Sequence, residues 1–256
     1  MSLLRVTGIS KHFGGVQAVR SVSFSLAHGE LLALIGPNGA GKTTCFNMLN
    51  GQLQPDAGTV MLEDRDITAR PPREVWAMGV GRTFQITATF GSMTVRENVQ
   101  MVLLSRARRL LGLWPRATAL YRAEAEALLA RVGMRDQAER ACNLLAYGDL
   151  KRVELAMALA HDPKLLLMDE PTAGMAPRER NELMALTSEL ARERQLGVLF
   201  TEHSMDVVFT YAQRLLVLAR GRVIAEGTPA QVRDDPEVQA VYLGTEASFE
   251  PRAALS

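Results

Sequence analysis

The sequence predicts an α/β fold built on a parallel sheet, and two observations predict it. First, the short apolar runs Leu165 to Met168 and Val198 to Phe200 are separated by a segment with helical patterning, residues 177 to 192. This alternation is typical of parallel strands joined by helices. Second, the apolar run Leu31 to Ile35 leads into a glycine-rich loop, and residues 44 to 49 continue as a predicted helix.

Composition narrows the class of protein. The 256 residues carry a net charge of +1 and are 47% hydrophobic, so neither a disordered chain nor a binder of polyanions through its overall field is expected. We expect no nucleic-acid partner, no membrane-spanning helix and, because Arg5 interrupts the N-terminal apolar residues, no signal peptide. Cys45 and Cys142 are too few for a disulfide framework and suit a reducing compartment.

The remaining elements follow from local patterns. Residues from about 95 to 160 are rich in Ala, Leu, Arg and Glu at helical spacing and predict a helical subdomain. Thr228 is predicted to cap a final helix, with Pro229 at its first position. Four further strands, of which the last two form a hairpin, are predicted at Leu3 to Ile9, Val22 to Leu26, Leu215 to Ala219 and Val223 to Glu226.

The glycine-rich loop fits the phosphate-binding pattern GxxxxGK[ST] in its required context between a strand and a helix. Glycines let backbone N–H groups converge on an anion at the positive end of the helix. Lys42 then supplies a charge for the β- and γ-phosphates of a nucleotide, and Thr43 supplies a hydroxyl for Mg²⁺. The alternative is a chance glycine turn. The predicted nucleotide-binding residues are Gly36, Pro37, Asn38, Gly39, Ala40, Gly41, Lys42, Thr43 and Thr44.

Two acids end the predicted strand from Leu165 to Met168. Asp169 is expected to help hold Mg²⁺, and Glu170 to orient or deprotonate the attacking water. A pair of acids at a strand end is more often a solvated turn, so this prediction depends on the phosphate-binding loop.

A further segment, Leu145 to Asp149 (LAYGD), is followed by an apolar helical run to Ala160. Here the sequence resembles the ATP-binding subunits of ABC transporters, whose LSGGQ signature opens a helix that faces the ATP of the other subunit. The resemblance implies a P-loop NTPase core, with a RecA-like parallel sheet and an antiparallel N-terminal β-subdomain, over residues 1–86 and 161–256. It also implies an inserted α-helical subdomain over residues 87–160, whose Ala146, Tyr147 and Gly148 would contact the partner's ATP.

The same resemblance implies roles for three more residues. Gln85, in GRTFQ, is similar to the family's Q-loop glutamine, which senses Mg²⁺ and water. His203 matches the family's switch histidine, which contacts the γ-phosphate, and Phe13 stands where the family places an aromatic ring against adenine. Taken alone, each of the three has a structural alternative: a surface Gln, a structural His and a core Phe.

Within the family, the sequence resembles the LivG-type ATPase of branched-chain amino acid importers. The stretches FGGVQAV (13–19), GRTFQ (81–85), LAYGDLKR (145–152) and VYLG (241–244) carry this resemblance. It implies a peripheral protein on the cytoplasmic face of the inner membrane. Its partners would be a second, LivF-like ATPase subunit or a second copy of itself, two transmembrane permease subunits and, indirectly, an extracytoplasmic substrate-binding protein. Related urea, amide and lipopolysaccharide systems remain alternatives. A soluble P-loop kinase, or an ABC ATPase outside transport, is an alternative of another class.

Two departures and one insertion add hypotheses. Ala146 replaces the signature serine, and Ala176 stands where the family usually has Asp or Asn, so the two ATP sites of a heterodimer are predicted to be unequal. The basic stretch 105–122 is either a solvated helical insertion or a surface near anionic lipid or the permease.

Overall fold

The computed structural model of the chain describes residues 2–83, 89–107 and 120–243. The predicted Gln85, most of the basic stretch 105–122 and the last residue of VYLG lie outside these ranges, so their predictions stay untested.

A six-stranded sheet and a four-stranded sheet organise the described residues. In chain order the strands are β1 (Ser2–Phe13), β2 (Val16–Ala27), β3 (Leu31–Ile35), β4 (Ala57–Leu62), β5 (Arg65–Asp66), β6 (Val80–Thr83), β7 (Leu165–Asp169), β8 (Gly197–Thr201), β9 (Arg214–Ala219) and β10 (Arg222–Gly227). The larger sheet has the order β10-β9-β3-β8-β7-β6 and is parallel except for β10. The smaller sheet is antiparallel, with the order β2-β1-β4-β5.

The α-helices pack around the larger sheet and form the helical region between β6 and β7. They are α1 (Lys42–Leu49), α2 (Pro72–Ala77), α3 (Val95–Arg106), α4 (Arg122–Arg131), α5 (Tyr147–Leu159), α6 (Pro177–Arg194), α7 (Met205–Tyr211), α8 (Pro229–Arg233) and α9 (Pro236–Leu243). None of the helices in the described ranges is long and apolar enough to cross a membrane.

The central strand β3 explains why a buried parallel strand has a continuous run of apolar residues in its sequence. All five of its residues are buried. Leu31 and Ile35 belong to a core cluster shared with the helices α3 to α6, whereas Leu32 and Leu34 belong to a second cluster shared with β1, β2 and α1. A strand covered on both faces needs apolar side chains at every position, which removes the usual alternation.

The helical region begins at a well-capped helix. The Thr94 hydroxyl accepts the N–H of Glu97, and the Glu97 carboxylate accepts the N–H of Thr94, which completes a capping box. Helices α3, α4 and α5 contact one another and bury Val99, Leu129 and Val153 in the first core cluster.

The predicted α/β class with a parallel sheet, an antiparallel N-terminal sheet and an inserted helical region is confirmed. One prediction needs correction, because the helix capped by Thr228 is not the last. The Asp235 carboxylate accepts the N–H groups of Glu237 and Val238, and Pro236 has no N–H to donate, so the chain ends α8 and starts α9.

Candidate functional site

The phosphate-binding loop lies between β3 and α1, as its sequence predicts. Gly36 and Gly41 have φ values of 148° and 106°, and a Cβ on Gly36 would stand 2.1 Å from the Leu218 carbonyl oxygen. Only glycine fits this conformation at this distance. The Gly221 N–H, in the turn between β9 and β10, donates to the Ala40 carbonyl at 3.0 Å. This hydrogen bond connects the turn to the phosphate-binding loop.

Lys42 begins α1, and its ammonium lies over the loop. Its Nζ donates to the carbonyl oxygens of Gly36 at 2.7 Å and Pro37 at 3.1 Å. Burial lowers the pKa of Lys42, and the nearby carboxylates of Glu170 and Asp169 partly offset this effect. The structure therefore brings the predicted phosphate-binding lysine and the two predicted acids into one electrostatic site. Thr43 and Thr44 follow Lys42 in the first turn of the same helix.

The two acids stand at the carboxyl end of β7 and are held by the end of β8. The Thr201 hydroxyl donates to Asp169 Oδ1 at 2.8 Å and accepts the Glu170 N–H at 3.0 Å. Glu170 has a φ of 49°, a left-handed conformation that costs energy in a residue with a side chain. Because the carboxyl ends of parallel strands share one edge of the sheet, Thr201 is placed to hold both acids.

Glu170 and His203 meet directly. His203 Nε2 lies 2.8 Å from Glu170 Oε1. An ionised carboxylate only accepts hydrogen bonds, so His203 must carry its proton on Nε2 to make this contact. The predicted base and the predicted switch histidine, 33 residues apart in sequence, thus contact each other directly.

Three polar residues of this site were absent from the predicted set of site residues. Arg82, at the end of β6, pairs with Asp169 at 3.3 Å, and both side chains are only 11% exposed. Arg82 also donates to Asn47 and Gln52, and burial lowers its pKa despite the opposing effect of Asp169. Thr201 ends the neighbouring strand β8, and the buried Glu202 follows it directly. The position of these three residues at strand ends could have indicated a role in the site. Polar residues at the carboxyl ends of adjacent parallel strands lie together at one edge of the sheet.

The signature segment opens α5, as predicted. Ala146 is the N-cap of α5 and is exposed, as is Tyr147, whereas Gly148 is buried. A Cβ on Gly148 would stand 3.2 Å from the Glu179 carboxylate at the start of α6. No hydrogen bond in the described ranges joins these three residues to the phosphate-binding loop.

Phe13 ends β1 and is 51% exposed, so the alternative of a core aromatic does not hold. Lys11 Nζ lies 6.0 Å from its ring centroid. The hairpin continues into β2, whose Ala18 carbonyl oxygen would stand 2.6 Å from a Cβ on Gly41. The exposed ring is therefore on the hairpin that packs against the start of α1.

An apolar groove of about 320 Å³ opens next to Arg82. It is lined by Trp76, Val102, Met157 and His161 among others. Trp76 and His161 stack with ring centroids 4.7 Å apart. Burial lowers the pKa of His161 to about 4, although the backbone of Ala158 and Val80 partly offsets this.

Comparison with known proteins agrees with this geometry. Residues 19–173 match the family described as ABC transporter, and residues 222–248 match a family described as branched-chain amino acid ATP-binding cassette transporter. The LivG branched-chain amino acid transport ATP-binding protein of Salmonella typhimurium is 40% identical over 94% of this chain and 98% of its own length. The BraF protein of Pseudomonas aeruginosa is 38% identical over the same shares. Among solved structures, the ADP conformation of MJ1267, an ATP-binding cassette of an ABC transporter, gives a TM-score of 0.85 at 33% identity, covering 95% of this chain and 99% of that one.

Proposed function

This chain belongs to the family of ABC transporter ATP-binding proteins, and on that premise we propose that it hydrolyses ATP to drive import of branched-chain amino acids through partner permeases. The contact of Glu170 with His203 beside Lys42 and Asp169 is the observation that supports hydrolysis. The match of residues 222–248, together with the LivG and BraF relatives, supports the transported class.

The loop from Gly36 to Gly41 would bind the phosphates of ATP through its backbone N–H groups at the positive end of α1. The ammonium of Lys42 would move from the carbonyl oxygens of Gly36 and Pro37 to the β- and γ-phosphates and neutralise their charge. The long, flexible lysine side chain permits this movement. The hydroxyl of Thr43 and the carboxylate of Asp169 are oxygen donors and suit Mg²⁺, which takes its other ligands from phosphate and water. Bound there, Mg²⁺ would neutralise charge on the phosphate oxygens.

Glu170, whose Oε1 contacts His203, would accept the proton of the attacking water. In this arrangement the Nε2–H of His203 fixes the orientation of the carboxylate. The left-handed backbone of Glu170, held by Thr201, sets where the carboxylate points. Gln85 would complete the site between the core and the helical subdomain, as the family resemblance implies.

Two copies of the ATPase fold would share each ATP. Phe13, which is exposed at the end of β1, would stack on the adenine of the ATP that is bound to the same chain. Ala146, Tyr147 and Gly148 would approach the γ-phosphate of the ATP bound to the partner, because Ala146 and Tyr147 are exposed at the positive N-terminal end of α5. We propose a second, LivF-like ATPase or a second copy of this chain as that partner.

The permease subunits would dock on the apolar groove beside Arg82. The groove joins α2 of the core to α3 and α5 of the helical region, and its lining of Trp76, Val102 and Met157 suits an apolar helix from a partner. Docking there would hold the chain at the cytoplasmic face of the inner membrane as a peripheral subunit.

Hydrolysis is tested with Glu170→Gln, which keeps the size of the side chain but removes the base. Turnover should fall by about 10²- to 10⁴-fold, while ATP binding, followed by isothermal calorimetry, stays within a few-fold. The control is Glu189→Gln, an exposed glutamate on α6 that should retain full turnover. Normal turnover in the Glu170 variant would refute the role of the base.

The transport class is tested by tagging the chain in its host, solubilising membranes gently and identifying co-purifying proteins by mass spectrometry. Recovery of two permeases and a second ATPase supports the importer, and uptake assays with labelled leucine, urea and amides then separate the substrate classes. Co-purification with lipopolysaccharide-export components would assign the alternative system. Recovery from the cytosol alone would refute the transport proposal and leave the ATPase chemistry intact.

A further inference from the structure

The carboxylate of Glu202 lies next to the Glu170–His203 contact, and the residue is only 4% exposed. It follows β8 and accepts three hydrogen bonds. Oε1 accepts the Thr172 N–H at 2.9 Å and the Thr172 hydroxyl at 2.6 Å, and Oε2 accepts the His203 N–H at 3.2 Å. No cation of the described residues forms an ion pair with it. A buried acid is expensive unless its oxygens are satisfied, so these three donors account for its presence.

The three donors belong to two loops that carry the reactive groups. Thr172 lies two residues after Glu170, in the loop that follows β7, and His203 comes directly after Glu202 in the loop that follows β8. Glu202 therefore connects the backbone behind the base to the backbone of the histidine. The Glu170–His203 contact of 2.8 Å is made between the same two loops.

We propose that Glu202 is a positioning residue for ATP hydrolysis, which fixes the distance between Glu170 and His203 by joining their loops. This inference rests on the proposed role of Glu170 as the base. Reactions of this kind are sensitive to placement, since an error of about 1 Å can reduce the rate about 100-fold. Thr201 holds the backbone N–H of Glu170, and Glu202 supplies the corresponding connection further along both loops.

The chemistry of the carboxylate makes the proposal specific. All three partners are donors, so only a group that accepts at both oxygens satisfies them. In Glu202→Gln the amide oxygen can still accept from Thr172, but the NH₂ group faces the N–H of His203, and two donors repel. In Thr172→Val the hydroxyl donor is lost while the backbone bond remains. Thr172→Ser keeps the hydroxyl and should keep the connection.

The test measures kcat and KM for ATP, together with urea unfolding, on the full chain in its assembled complex. Glu202→Gln and Thr172→Val should lower kcat by about 10- to 100-fold with KM within about threefold of wild type. Thr172→Ser should retain kcat. The control is Thr187→Val, which removes another buried threonine hydroxyl, one that donates to the Leu183 carbonyl inside α6, and it should not alter kcat.

A double variant separates positioning from general stability. If Glu202 acts through Glu170, adding Glu202→Gln to Glu170→Gln should cause no further loss of kcat. The proposal would be overturned if Glu202→Gln lowered kcat in the Glu170→Gln protein by the same factor as in the wild type. It would also be overturned by a wild-type kcat in the folded Glu202→Gln protein. Should Glu202→Gln fail to fold, Thr172→Val and Thr172→Ser decide, and equal kcat in these two variants would overturn it. Failure of the proposed function is distinct, because Glu170→Gln itself would then remain active.

Discussion

Protonation of His161 should destabilise the protein below neutral pH. Its imidazole is buried at 8% exposure and stacks on Trp76. Burial lowers its pKa from 6.5 to about 4. The unfolded chain therefore binds this proton more tightly than the folded chain does. Its contribution to stability is complete above pH 6.5 and is lost progressively as the pH falls towards 4.

The size of the effect follows from the same two pKa values. One pKa unit corresponds to about 1.4 kcal/mol, so protonation removes about 3 kcal/mol of the free energy of unfolding, of which about 2 kcal/mol is lost by pH 5. For a chain of this length, a loss of about 2 kcal/mol corresponds to a fall in Tm of about 4–8 °C.

The assay is urea unfolding at several pH values between 8 and 5 for wild type and His161→Phe. Phenylalanine keeps the aromatic stack on Trp76 and does not titrate, so the variant should lose about 2 kcal/mol less than wild type over this interval. His28→Gln, at an exposed position, serves as the control and should follow the wild-type curve. Parallel curves for wild type and His161→Phe would refute the reasoning.

Three other perturbations have defined outcomes. In the same urea assay, Gly36→Ala should lower the free energy of unfolding by more than about 3 kcal/mol, because the new Cβ would stand 2.1 Å from a backbone carbonyl oxygen. The control is Gly39→Ala, where φ is 78° and the space around a Cβ is open. It should lower the free energy of unfolding by only about 1 kcal/mol. Arg82→Met should cost about 3 kcal/mol by leaving the buried Asp169 without this partner, and adding Asp169→Asn should recover part of the loss; additive losses would contradict the pairing. Because burial raises the pKa of Cys45 to about 12, iodoacetamide at pH 8 should alkylate this thiol only after urea unfolding, as mass spectrometry would show.

The parallel core was predictable because its chemistry is local. The run Leu31 to Ile35 is observed as β3 with the predicted bounds, since a strand buried on both faces consists of apolar residues only. By contrast, β5 has two exposed residues, Arg65 and Asp66, and β6 contains a glycine and an arginine. Such edge strands are defined by their neighbours and carry little signal of their own.

The same contrast holds at the site. Lys42, Asp169 and Glu170 were predictable because each belongs to a contiguous motif with a strand or loop context. Arg82 and Glu202 act through contacts between elements far apart in the chain, Arg82 with a residue 87 positions away and Glu202 with one 30 positions away. Single-sequence patterns do not encode such pairings. The contact between Glu170 and His203 likewise became visible only once β7 and β8 were neighbours.

The hydrogen bond between the β9–β10 turn and the phosphate-binding loop makes hydrogen exchange at the Gly221 amide a measure of loop motion. The Gly221 N–H is protected by the Ala40 carbonyl, and the Gly221 carbonyl in turn accepts the Arg20 N–H. Deuterium can enter at Gly221 only when the loop or the turn moves away. A nucleotide that orders the loop would therefore slow exchange at an amide that it never touches, and that rate would measure loop opening from the opposite side of the site.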